Sequence, residues 1–244
     1  MKMHKMSRVL NNSNFSFKNQ SSRYEGKVRD VYTINDDKLI MIASDRISAF
    51  DVVMPKGITY KGQVLNQIAV EMLEKTRDII PNWLESNPDP NVSIGKKCKP
   101  IKVEMVVRGY LSGHAYREYK SGKRDICGNV IKNGLKENDK FKKPIITPTT
   151  KADQGNHDQD INPTEIIRKK LLNKYDYEKI HDISMELYKR GNSIAKDNGL
   201  ILVDTKYEFG YDSEGEITLI DEIHTPDSSR DFYHDSSHEL QGKG

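Results

Sequence analysis

Two hydrophobic periods run through the chain. Tyr24-Glu-Gly-Lys-Val-Arg-Asp-Val-Tyr32 alternates, with Val28, Tyr32 and Ile34 on one side, which predicts a strand carrying one glycine. Asn35-Asp-Asp-Lys38 is a turn cluster and Leu39 to Ala43 resumes as a buried strand, so the two form a hairpin. Val64, Leu65, Ile68, Met72 and Leu73 then recur at helical spacing over residues 62–76. Asn87-Pro-Asp-Pro-Asn91 reads as a loop. Ile101, Val103, Met105 and Val107 alternate against Lys102, Glu104 and Val106, a strand that delivers Arg108 and Gly109 at its end.

Two later helices carry their own punctuation. Asn162 is an N-cap, with Pro163 at the first helical position and Glu165 three residues after the cap. A second helix spans about Asp176 to Asn198, with Ile180, Ile183, Leu187, Tyr188 and Ile194 on one stripe and Gly199 as its stop. Leu200 to Gly210 and Ile217 to Glu222 follow as strands around an Asp-Ser-Glu-Gly turn. Hairpins and helices are mixed, so the fold class is α+β. Residues 1–22 are polar and lack periodicity, and are expected to be a mobile segment. The change of character over Gly95 to Pro100 divides an N-terminal lobe, 23–99, from a C-terminal lobe, 100–244.

Charge narrows the classes. Thirty-nine Lys+Arg against 36 Asp+Glu leave a net charge of +3, which lacks the basic footprint of a dedicated nucleic-acid binder. Any functional positive patch must therefore be local. The apolar runs Leu39 to Ala43 and Leu200 to Val203 are too short to cross a bilayer, and the N-terminus has no stretch of signal-peptide type. Cys98 and Cys127 have no CxxC neighbour, so they are expected to be reduced thiols of a cytoplasmic protein.

Candidate chemistry gathers in four places. In Leu200 to Gly210, strand alternation puts Asp204, Lys206 and Glu208 on one face. The following hairpin places Asp221 opposite Lys206 or Glu208, so Lys206, Glu208 and Asp221 should converge. Two carboxylates with a lysine suit a hard cation and a phosphate, and equally suit a half-exposed strand of mixed charge. Lys27 and Arg29 form a cationic pair after Gly26, without a GxxxxGK[ST] or GxGxxG pattern. Thr147 to Asp158 is a long polar stretch holding Lys151, Asp153, His157 and Asp158. In Asp221 to Arg230, Pro226 ends the strand, and Ser228, Ser229 and Arg230 offer hydroxyls and a guanidinium suited to phosphate or carboxylate. Taken singly, each cluster also fits an ordinary surface.

Their order is more specific. YEGKVRDVY, SDRISAFDVVMP, VEMVVRGYLSG, ITPTTKADQGNHD, LILVDTKYEFG and LIDEIHTPDSSR follow one another from Tyr24 to Arg230. This series resembles the phosphoribosylaminoimidazole-succinocarboxamide synthase (SAICAR synthetase) family. The resemblance implies a two-lobed α+β fold with ATP in the cleft, related to ATP-grasp and kinase-like nucleotide sites. It implies a ligase of de novo purine synthesis that uses ATP and Mg²⁺. That ligase joins L-aspartate to the carboxylate of carboxyaminoimidazole ribonucleotide, giving SAICAR, ADP and phosphate.

By the same resemblance, Lys27, Arg29, Lys151 and Lys206 serve the ATP, with His157 and Asp158 in a loop near it. Glu208 and Asp221 bind Mg²⁺. Arg108, Ser229 and Arg230 hold the imidazole ribonucleotide, and Asp45, Arg46 and Ser48 belong to a loop that binds it or aspartate. His114 stands where many members have a substrate-holding serine. The tail after Arg230 is short for the family, so the alternative reading is a catalytically silent nucleotide-binding relative or a fragment. Oligomeric state is not legible.

Overall fold

The computed structural model describes residues 9–49, 52–151 and 159–233. His157 and Asp158 lie outside the described residues. The elements run β1 (Gln20–Glu25), β2 (Arg29–Ile34), β3 (Lys38–Ala43), β4 (Ser48–Ala49), β5 (Val52–Val53), α1 (Lys61–Lys75), β6 (Leu84–Asp89), β7 (Val92–Lys96) and β8 (Lys99–Tyr110). They continue with α2 (Gly113–Lys120), β9 (Asp125–Ile126), β10 (Asn129–Val130), β11 (Lys140–Thr150), β12 (Gln159–Asp160), α3 (Pro163–Arg168), α4 (Lys174–Asp197), β13 (Leu200–Tyr211), β14 (Ile217–Ile220) and β15 (Ser229–Tyr233). Among these, no helix is long and apolar enough to cross a membrane.

Two antiparallel sheets organise the chain as an α+β fold. The first has the order β1-β2-β3-β7-β6, with α1 packed against β3, β6 and β7. The second has the order β12-β11-β8-β13-β14, with β15 on β13. Its two long strands are two-faced. Val103, Met105, Val107, Tyr207 and Phe209 are fully buried on the side where α4 lays Ile180, Leu187 and Tyr188. This apolar seam is the main core, and it turns the alternate residues of β8 and β13 toward the first sheet. Asn162 caps α3 by accepting from Glu165 N at 2.9 Å, and Gly199 ends α4 at φ +71°, as the sequence punctuation requires.

Four expectations change. Tyr24 to Tyr32 is not one strand, because β1 ends at Glu25 and the chain turns through Gly26 before β2. Gly26 N donates to Arg29 O at 2.7 Å, and a Cβ on Gly26 would sit 2.8 Å from that oxygen. Residues 84–89 are strand through Pro88, which β6 tolerates as an edge strand needing no inward N–H there. On α1 the buried stripe is Leu65, Ala69 and Leu73, and Val64 faces out.

The N-terminal stretch is also tied down from Val9 onward. Ser13 is buried and bonds the Asp30 carboxylate through its N (2.7 Å) and Oγ (2.6 Å), and Leu10 N donates to Asp45 at 2.8 Å. Local composition hides these contacts, because their acceptors lie about 20 to 35 residues away.

His224 follows β14 and inserts its ring toward α4, where Gly191 leaves room: a Cβ there would meet the ring at 2.6 Å. The Tyr207 hydroxyl lies 2.7 Å from His224 Nε2, and burial lowers the imidazole pKa to about 4. Below about pH 6.5 the unfolded chain therefore binds a proton that the folded one refuses. Stability is complete above that pH and declines toward pH 4, by about 2 kcal/mol after allowance for partial exposure. Urea titrations at pH 7 and 5 are expected to show this loss in the parent and a smaller one in His224→Gln. Equal losses would remove the assignment.

Candidate active site

The outward face of the second sheet meets the first sheet across a cleft of about 830 Å³. Val31, Leu39 and Met41 supply apolar surface from one side and Pro100 and Ile220 from the other, a slot suited to a flat ring. Lys151, Lys206, Glu208, Asp221 and Asp227 form its polar end. The sheets are pinned together beside it. Trp83 Nε1 donates to Asp221 O at 2.8 Å, and Arg29 grips Glu222 at 2.5 and 2.7 Å.

The polar end centres on Glu208. Its carboxylate is almost wholly buried, and Oε1 accepts from Lys206 at 2.6 Å while Oε2 accepts from Lys151. Burial penalises this charge, but the two ammoniums prevail and hold its pKa well below the usual carboxylate range. Lys206 is desolvated too, and its carboxylate neighbours, Glu208 first and then Glu104, raise its pKa.

Asp221 reaches the cluster by a route the sequence did not predict. The register sets Ile220, not Asp221, opposite Glu208. Asp221 therefore leaves the strand at φ +62°, and this left-handed step brings it to the cleft beside Glu208. Desolvation and the Glu208 charge push its carboxyl up to about 6, against the pull of Arg29, 3.8 Å away. The hard carboxylate oxygens of Glu208 and Asp221 face the same cleft and fit a hard divalent cation, so the residues present suit Mg²⁺.

A second centre lies along the same face. Arg108 is buried, and donates to Thr147 Oγ1 at 2.9 Å and Asp204 Oδ2 at 3.0 Å. Arg230 donates to the same Asp204 oxygen at 3.2 Å and to Ser112 Oγ at 3.0 Å. Gly113, at the start of α2, makes this possible: a Cβ there would sit 2.3 Å from the Arg230 guanidinium. Two guanidiniums sharing one carboxylate leave spare donors for an anion. Arg108 pairs with Asp204, and Glu104 with Glu208, so the two centres are four residues apart along both strands, about 13 Å by the strand rise.

The other expected residues are placed differently from one another. Lys27 lines the cleft from the β1–β2 turn, as does Ser48 from β4. Arg29 faces the cleft but is engaged by Glu222. Ser229 bonds Thr205 through Oγ at 2.8 Å. Asp45 and Arg46 do not line the cleft. Asp45 accepts from Gly62 N at 3.0 Å, meeting a free N–H at the start of α1. Arg46 binds Gly26 O (2.8 Å), Lys27 O (3.1 Å) and Asp30 (2.7 Å), and so shapes the turn that carries Lys27. His114 is on α2, with Nε2 2.8 Å from Asp160.

Sequence reasoning missed Glu104, Thr147 and Glu222 as partners. For Glu104 a signal existed. It stands two residues after Lys102 and four before Arg108, on the polar side of a strand whose other side is apolar throughout.

The sequence model of the SAICAR synthetase family matches residues 22–243. The chain belongs to the SAICAR synthetase family. Among its SAICAR synthetase relatives, the phosphoribosylaminoimidazole-succinocarboxamide synthase of Flavobacterium psychrophilum is 61% identical over 92% of this chain and 71% of its own length. That of Bacteroides thetaiotaomicron is 56% identical over 97% of this chain and 75% of its own. Solved SAICAR synthetase structures share the fold. The Saccharomyces cerevisiae enzyme complexed with SAICAR superposes with a TM-score of 0.79 at 32% identity, covering 89% of this chain and 77% of that one. A SAICAR synthetase in complex with ADP gives 0.75 at 27% identity, covering 91% of each chain.

Proposed function

We propose that the cleft joins L-aspartate to the carboxylate of carboxyaminoimidazole ribonucleotide at the expense of ATP, giving SAICAR, ADP and phosphate. As a SAICAR synthetase the chain is an ATP-dependent ligase of purine biosynthesis. One observation carries the assignment of substrates to places. A single sheet face bears a lysine–carboxylate centre at one end and an arginine pair about 13 Å away, so a ribonucleotide whose phosphate lies on the arginines points its base toward the lysine–carboxylate centre.

The purine ring of ATP lies in the apolar slot, with Lys27 over its phosphates and Lys151 and Lys206 alongside them. Glu208 and Asp221 hold Mg²⁺, which when bound supplies positive charge against the phosphate oxygens. Arg108 and Arg230 hold the ribonucleotide phosphate, with Ser229 and His114 near them. Ser48 faces the remaining space, where aspartate would enter. A cytoplasmic location fits such substrates.

A carboxylate is a poor acyl donor, because its carbon is a weak electrophile and oxide is not a leaving group. Phosphoryl transfer makes an oxygen of the ribonucleotide carboxylate bond to the γ-phosphorus as the β–γ bond breaks and ADP leaves. The aspartate nitrogen then bonds to the activated carbon. Phosphate departs with the former carboxylate oxygen, and the nitrogen sheds a proton. Lys206 and Lys151 neutralise charge along this path, and the cleft walls exclude water that would intercept the activated carboxyl.

The silent-relative alternative is not favoured, because Lys151, Lys206, Glu208 and Asp221 gather at one centre and Arg108 and Arg230 at the other. ADP release is expected only when ribonucleotide and aspartate are both present with ATP and Mg²⁺. Release that continues without aspartate, or none with everything present, would refute the reading.

A further inference from the structure

We infer that Glu104 is a positioning residue of the reaction: it is the standing counter-ion of Lys206, keeping that ammonium at the phosphate path when Glu208 is taken up by the metal. The inference rests on the reading that Glu208 and Asp221 hold Mg²⁺ beside a nucleotide.

Glu104 lies in the middle of β8, its side chain 5% exposed, directly across the ladder from Glu208. A carboxylate in such a place costs desolvation, and a valine or leucine would fill the position without that cost. What the charge achieves is visible in its contacts. Oε1 accepts from Lys206 Nζ at 3.0 Å, and Oε2 accepts from Thr149 Oγ1 at 3.3 Å. Lys206 is therefore shared between two carboxylates, and Glu208 between two ammoniums. The four groups balance in charge, with each Glu208 oxygen covered by a lysine.

This balance cannot persist with a cation on Glu208. A metal ligand needs its oxygen lone pairs turned to the metal, and an ammonium on the same oxygen opposes that both sterically and by like charge. Lys206 must therefore slacken its hold on Glu208. Because Glu104 sits on the other side of the same ammonium, Lys206 retains a buried partner and stays on the sheet face. Thr149 fixes the second Glu104 oxygen from β11, so the anchor does not move with the metal. Without Glu104, Lys206 has a stronger hold on Glu208 and competes directly with the cation.

Mn²⁺, read by electron paramagnetic resonance in the presence of saturating ADP, reports the competition without turnover. Four proteins form a cycle: the parent, Glu104→Gln, Lys206→Met and the double variant. Glu104→Gln is expected to weaken Mn²⁺ about tenfold in the parent and less than twofold in the Lys206→Met background, a coupling of more than about fivefold, or about 1 kcal/mol. An equal loss in both backgrounds would overturn the inference, since it would make Glu104 a direct metal ligand or a fold residue. No loss in the parent background would overturn it too. If Glu104→Gln does not fold, Glu104→Asp, which keeps the charge but withdraws it by one methylene, runs the same cycle with the same expected sign. Failure of the parent itself to bind Mn²⁺ with ADP, seen before any variant is compared, would instead remove the metal reading.

Discussion

Glu208→Gln is expected to reduce kcat by about 10³-fold while leaving the fold intact. The amide keeps the shape of the side chain and one acceptor oxygen, so packing against β8 and β14 is preserved. What disappears is the charge. Among the described residues Glu208 is the one carboxylate in the cleft that both lysines touch, and it lies beside Asp221, so its loss removes a hard ligand and a shared counter-ion together. Removing a single preorganised electrostatic contact typically costs 10²–10³ in rate, and metal-dependent charge stabilisation is worth several kcal/mol. Lys206 keeps Glu104 and Lys151 is half exposed, so neither becomes an orphaned buried charge. Steady-state rates with a thermal melt check both halves of this expectation. A rate within tenfold of the parent would contradict the metal assignment.

Gly95→Ala is expected to lower the melting temperature by about 10 °C. Gly95 in β7 pairs with Leu39 on one side and Leu84 on the other, and a Cβ there would stand 1.9 Å from Trp83 O. That atom belongs to the backbone, so no side chain can swing aside to relieve the contact. Overpacking of this kind costs about 3 kcal/mol, which corresponds to roughly 10 °C for a chain of this length. The displaced Trp83 also donates to Asp221 O, so turnover should fall with stability. A melt within 2 °C of the parent would show that β6 and β7 part without cost.

The chemistry of the site was legible where it followed strand alternation. Lys206 and Glu208 share a face because β13 is a regular strand, and the same rule places Arg108 on the cleft side of β8. Asp221 was expected in the right place for the wrong reason. The turn length left the hairpin register open by one residue, and a left-handed backbone step restores the convergence. Asp45 and Arg46 resemble substrate ligands in sequence but are engaged in scaffolding, since their partners, from Leu10 to Asn12, Gly26 to Asp30 and at Gly62, come together only when the chain folds back. Glu104 was passed over because one carboxylate in an apolar strand carries no motif. Only the ladder partner across from it reveals its use.

The central claim is that the cleft activates a carboxylate with ATP before an amine takes its place. Ribonucleotide labelled with ¹⁸O in its carboxylate, turned over with ATP, Mg²⁺ and aspartate, tests this most directly. The account predicts one ¹⁸O in each phosphate released. Released phosphate that carries an oxygen from solvent water and no ¹⁸O would contradict it.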